Sequence, residues 1–129
     1  MALYRFKDRV PVIAQGAWVS DSARVIGDVV IGEECYVGHG AVVRGDYGSV
    51  RLGAGSAVEE NVVVHIPPEC TSNIGASVTI GHGAIVHCDA IEDYAVIGMG
   101  AVLSIGATIG RWAIVAEGAV VPWGAHIPA

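Results

Sequence analysis

Aliphatic residues return at every sixth position along almost the whole chain. They are Val19, Val25, Ile31, Val37, Val43, Leu52, Val58, Val64, Ile74, Ile80, Val86, Ile91, Ile97, Leu103, Ile109, Val115, Val121 and Ile127. Many are followed by Gly, and small residues recur four positions on, as at Ala23, Ala41, Ala84, Ala101, Ala113 and Ala119. One hexad is too short to bury its apolar residue alone, so successive hexads must stack into a continuous core. This period predicts an all-β parallel β-helix, with three hexads making one triangular coil.

The interruptions have a pattern of their own. Grouped as coils, the core positions form six sets: 19/25/31, 37/43/52, 58/64/74, 80/86/91, 97/103/109 and 115/121/127. Every irregular gap lies between the second and third members of a set: Val43 to Leu52, Val64 to Ile74 and Val86 to Ile91. Variation is thus confined to one edge of the prism, where repeat proteins often build a binding face. Residues 1–18 precede the first clear hexad and are expected to cap the first coil, leaving 19–129 as the helix proper. Residues 66–73, IPPECTSN, form the longest excursion, and its two prolines are expected to stop strand pairing there. The sequence stops at Ala129, two residues into a last hexad. Its open edge is expected to be covered either by a partner chain or by a C-terminal helix or other segment of a longer natural protein.

The coil register also sorts the polar side chains, because neighbours on a strand point to opposite sides. One outward column, just after the second core position, reads Ile26, Arg44, His65, His87, Ser104, Pro122. Another, two residues after the first core position, reads Asp21, His39, Glu60, His82, Met99, Glu117. Adjacent coils lie about 4.8 Å apart. His65 and His87 are therefore close enough to share one ion at the roughly 2.0–2.1 Å typical of zinc–imidazole bonds. His82 lies around a corner on a different face. Geometry leaves two options: a two-histidine site, or a third ligand from a neighbouring subunit. His39 reads as solvated and His126 is uninformative.

Composition narrows the field further. The 129 residues form one domain, 53% hydrophobic, with net charge −6 and no basic run. That argues against nucleic acid as the main partner. No apolar stretch is long enough for a membrane span, and MALYRFKDRV lacks the apolar segment of a secretory signal. Cys35, Cys70 and Cys88 have no CxxC spacing and leave an odd thiol, which suits a reducing cytoplasm. Cys88 follows His87 but points the opposite way, so it reads as a buried thiol.

The run VVRGD at 42–46, then NVVVH ending at His65, then GHGAIVHCD at 81–89, resembles the γ-class carbonic anhydrase family. The resemblance is strongest to its short bacterial branch, which includes the phenylacetate- and carnitine-operon hexapeptide proteins, and it spans essentially the whole chain. It implies a left-handed β-helix and a homotrimer. It implies a zinc-type ion (iron or cobalt in its place) held by His65 and His87 of one subunit and His82 of the next. The implied reaction is hydration of carbon dioxide to bicarbonate by metal-bound hydroxide. Arg44 and Asp46 resemble the family's interfacial ion pair. Glu59 stands where relatives carry a glutamine that orients the reacting water, and Ala57 where they carry an asparagine.

Tyr47 replaces a glutamate of the best-studied members, which leaves Glu69, on the proline-bearing loop, as the candidate proton shuttle. Glu60, grouped with Asn61, is placed to accept the free N–H of His82. Two other functions compete on the same scaffold: an acyl-CoA thioesterase or acyltransferase acting on an acyl thioester, and a non-catalytic metal-binding trimer.

Overall fold

The protein is described here by a computed structural model covering residues 2–129. Every element among these residues is a β-strand, most of them two residues long, and every strand pairing is parallel. The strands wind into a left-handed β-helix of about 7 turns, one turn more than the hexads count. The extra turn comes from the N-terminus. Leu3–Tyr4 pairs with Val25–Ile26, and Val12–Ile13 with Val30–Ile31, so residues before 19 join the sheets as well as covering the first coil.

The pairing register reproduces the sequence columns. On the first face Val19, Val37, Val58, Ile80, Ile97 and Val115 are successive partners. On the second, Val25, Val43, Val64, Val86, Leu103 and Val121 are. The third face aligns Ile13, Ile31, Leu52, Ile74, Ile91, Ile109 and Ile127. These inward side chains form one core, and almost all from Val19 to Val121 are buried. β-Branched residues dominate because a pleated, narrow interior fits their stiff rotamers. Alternation is complete in Arg24–Ile31, where every second residue is buried and the rest are partly or fully exposed.

Corners need backbone in the left-handed region, which glycine enters without penalty. One corner column reads Gly40, Asn61, Gly83, Gly100, Gly118, all with φ between 62° and 71°. Asn61 is therefore explained by its turn, since Asn tolerates this conformation better than most residues.

The second and third faces merge where Arg24–Ile31 and Val42–Leu52 run unbroken across a corner. Register slips there: Gly27 opposes Gly45 but Val29 opposes Val50, leaving residues 46–49 as an outward bulge. The next coil bulges further. Contrary to the expectation for residues 66–73, strand pairing resumes at Thr71, so the prolines exclude only 66–70 from the sheet. Ile66 turns inward and is fully buried beneath this loop, while Cys70 is exposed. The two bulges stack: Ser49 N–H donates to the Cys70 carbonyl and Glu69 N–H to that of Tyr47. The N-terminus packs against them. The Phe6 ring meets Tyr47 edge-on at 5.1 Å, the Lys7 ammonium lies 5.5 Å from the Tyr47 centroid, and Arg9 donates to the Gly48 carbonyl.

Candidate functional site

His65 and His87 follow core residues Val64 and Val86, which are paired neighbours on the second face. Their rings stack at 5.1 Å between centroids, and Nδ1 of His65 lies 3.1 Å from Nε2 of His87. Two nitrogens bound to one tetrahedral ion at 2.0–2.1 Å would sit about 3.3 Å apart. The pair thus has the donor atoms and spacing of two ligands to a single metal.

Asp46 explains why His65 offers that atom. Its Oδ1 lies 3.2 Å from His65 Nε2. Burial would raise the Asp46 carboxyl, but the Tyr47 N–H, His65 and Arg44 outweigh it and hold it below the usual carboxylate value. Arg44 Nη2, which can only donate, lies 3.2 Å from the same His65 Nε2, whereas an ionised carboxylate can only accept. With the proton on Nε2, as the Asp46 contact requires, the Nδ1 lone pair faces His87. Carboxylates commonly fix metal-binding histidines in this way. Arg44 in turn holds Asp46 through an ion pair from Nε to Oδ2 at 3.3 Å. Within one chain the two side chains close on each other. The bulge that delivers Asp46 depends on Gly45, where a Cβ would stand 2.2 Å from the Asp28 carbonyl.

Burial first, then the charges of His65 and Arg44, lower the His87 pKa below its ordinary value. Near neutral pH its imidazole is the uncharged, ligating form. A cavity of ≈ 340 Å³ opens over the pair and is lined by Arg44, His65, His87, Ser104, Ile105 and Trp123 among others. The Cys88 thiol faces the core and burial raises it to about 12, so it takes no part in the outward cluster.

His82 stands apart from this pair, on the first face, and its side chain is 55% exposed. Its Nδ1 lies 3.0 Å from Glu60 Oε1. Ligand-type atoms of Glu59, Glu60 and His82 all fall within 4.8 Å of one another. Within one chain, then, His82 and the His65–His87 pair lie on different faces. Glu60 also accepts a very short hydrogen bond from the Tyr36 hydroxyl. That bond, opposed by partial burial and aided by the Glu60 N–H, His82 and His39, keeps the Glu60 carboxyl low. The same bond drives the Tyr36 phenol up to about 12.

The remaining candidates lie elsewhere. Tyr47 is half exposed under Phe6 and Lys7, and Glu69 sits exposed at a left-handed position in the loop beside it. His39 is exposed, as expected, and has local contacts. Its Nδ1 lies 2.7 Å from Ser20 Oγ and its ring packs edge-on against Trp18. Tyr36 and Trp18, which stack at 5.2 Å, were not singled out from the sequence. Their only sequence signal is position: both precede a first-face core residue, on successive coils.

Stacked hexads and a histidine pair set into one outward column define a class, and comparison with known proteins places the chain within it. Residues 11–45 match the family described as bacterial transferase hexapeptide (six repeats). A solved hexapeptide transferase family protein from Anaplasma phagocytophilum superimposes with TM-score 0.94 at 31% identity, over 99% of this chain and 75% of that one. The chain belongs to the hexapeptide-repeat family.

Its homologues include γ carbonic anhydrases. It is 41% identical to the mitochondrial gamma carbonic anhydrase 1 of Arabidopsis thaliana over 100 residues, 73% of this chain and 36% of that protein. It is 38% identical to the carnitine operon protein CaiE of Escherichia coli O157:H7 over 99 residues, 77% of this chain and 50% of that protein. The chain thus spans about a third to a half of these two relatives. No helix among the described residues is long and apolar enough to cross a membrane.

Proposed function

We propose that the chain forms a cytoplasmic homotrimer with one zinc-type ion at each subunit interface, and that it hydrates carbon dioxide to bicarbonate. Each ion would be held by His65 and His87 of one subunit and His82 of its neighbour, with iron or cobalt as substitutes for zinc. The observation that carries this reading is the split itself. Two imidazole nitrogens face each other 3.1 Å apart on one face, and a carboxylate-braced, exposed third histidine stands on another.

The surface supports assembly through unlike faces. Val96, Met99 and Ile114 are exposed on the first face, and Ile85 and Val120 on the second. Exposed apolar side chains gathered on two faces mark contact surfaces, and a contact between unlike faces closes into a ring when the rotation permits. An ion held there by His65, His87 and the neighbour's His82 would supply a coordinated water with its pKa lowered towards 7. The chain's own residues would do the rest. Asp46 fixes the tautomer of His65, Arg44 holds Asp46, and the apolar cavity wall keeps bulk water from the reacting carbon. Glu59, beside His82, presents a carboxylate where relatives present an amide, which sets a fixed negative charge near the developing bicarbonate.

One observation favours a second reading. The cavity is lined, beside the histidine pair, by Val63, Ile85, Val102, Ile105 and Trp123, an apolar wall suited to the chain of an acyl thioester. Elemental analysis of anaerobically purified protein, followed on the same sample by stopped-flow carbon dioxide hydration and an acyl-CoA panel, separates the two. Metal with hydration supports the first reading. Metal with thioester cleavage and no hydration supports the second, and stoichiometric metal with neither leaves a structural trimer.

A further inference from the structure

The first face carries a hydrogen-bonded chain that no sequence motif announces. Tyr36, on Tyr36–Val37, pairs in register with Ala57 of the next coil, and Ala57 with Thr79 of the one after. Ala57 is small. The Tyr36 side chain can therefore lie across it and reach Glu60, which sits at the corner beyond Val58. The Tyr36 hydroxyl donates to Oε2 of Glu60, and the other oxygen, Oε1, faces Nδ1 of His82. Trp18 stacks on the Tyr36 ring from the preceding coil, 14° from parallel, so the phenol is held from behind as well as from its tip.

We infer that Tyr36 is a positioning residue for His82: it fixes the Glu60 carboxylate, which holds the proton of His82 on Nδ1 and presents Nε2 to the metal. The inference rests on the proposed role of His82 as the ligand donated across the interface. Each step follows from donor capacity. A phenol at neutral pH donates, an ionised carboxylate accepts at both oxygens, and a neutral imidazole has one donor nitrogen and one acceptor. With Glu60 accepting at Nδ1–H, the only lone pair left on His82 is at Nε2, on the exposed side of the ring. Without the phenol, Glu60 retains a free rotor on a partly exposed corner, and the ring loses its fixed aim. An exposed histidine whose carboxylate partner rotates freely makes a poor ligand, because ordering it offsets part of the binding energy.

The chain also explains the alanine at position 57. A larger amide there would occupy the space that the Tyr36 side chain crosses. The departure from the asparagine of relatives is then coupled to the tyrosine on the preceding coil.

The test is zinc affinity measured by chelator competition on the whole 129-residue chain. Tyr36→Phe keeps the ring on Trp18 and removes only the hydroxyl. The expected loss is about tenfold, at the lower end of what removing an outer partner of a metal ligand produces. Glu60→Gln should lose more, and adding Tyr36→Phe to Glu60→Gln should cause no further loss, because the phenol acts only through the carboxylate. Nitrogen-15 NMR of the histidine rings gives a second readout: the Nδ1–H tautomer of His82 should dominate in the parent and lose dominance in Glu60→Gln. Unchanged affinity in Tyr36→Phe, or additive losses in the double variant, would overturn the inference while leaving the interfacial site standing. Full zinc binding by His82→Ala would overturn both.

Discussion

Asp46 and Glu60 do the same work on different faces: each is an ionised carboxylate that accepts a hydrogen bond from one histidine nitrogen and so leaves the other with its lone pair free. Asp46→Asn tests this at the residue scale. The amide is nearly isosteric but no longer enforces the Nε2–H tautomer of His65, so zinc affinity should fall about 10–100-fold with little loss of folding stability. Equal affinity, measured by competition at matched protein concentration, would remove Asp46 from the site. Glu59 is expected to act in the opposite sense. Replacing it by Gln restores a hydrogen-bond donor and removes a fixed anion next to the developing bicarbonate charge. Carbon dioxide hydration near neutral pH should therefore rise at matched metal content; no rise would favour the thioester reading. The histidines were legible from spacing because their columns follow from the coil register alone. Tyr36 and Trp18 were not, since their role depends on a side chain reaching over a neighbouring coil. Arg44 and Asp46 were legible as a pair, but that they close on each other within one chain required coordinates.

At the scale of elements, the six-residue period determined the faces, the inward residues and the edge that carries insertions. It failed at both ends of that logic. Residues 3–13 lack the full period, because Leu3 and Val12 are exposed and only a few backbone contacts hold the turn. The proline loop looked longer than it is, because Thr71–Ile74 has no strong strand pattern yet is captured by pairing with Ser49–Leu52. The bulged corner has its own electrostatic tie. Asp28 accepts from Ser49 at 2.6 Å and pairs with Arg51 at 2.9 Å. The Arg51 hydrogen bond first, with Ser49 and Arg9 assisting against partial burial, lowers the Asp28 carboxyl below its ordinary 3.8. Its contribution to stability is thus present above the ordinary value and is lost as pH falls through the lower folded-state value. Asp28→Asn should destabilise modestly at about pH 6, given the exposure of both partners, and the gap to the parent should be smaller at about pH 2.5, because the stabilisation is lost as pH falls through the lowered folded-state value. Urea unfolding at the two pH values reads this directly; an equal gap at both would contradict the assignment.

For the whole molecule, the account depends on one claim: that a complete site needs two subunits. A single chain holds the histidine pair on one face and His82 on another, each braced by its own carboxylate, and exposes apolar side chains on both. The sequence register separated the half-sites, but a single chain cannot show them joined. The most direct measurement is zinc content after co-folding two defective variants, His65→Ala and His82→Ala. Each alone should hold little zinc, because every interface lacks a ligand. Random mixing within a ring of unlike contacts restores intact interfaces where a His82→Ala subunit supplies the pair and a His65→Ala neighbour supplies the third ligand. Equal mixing should therefore recover about one quarter of the parent's zinc per chain. Mixed assemblies with no more zinc than the separate variants would contradict a shared site.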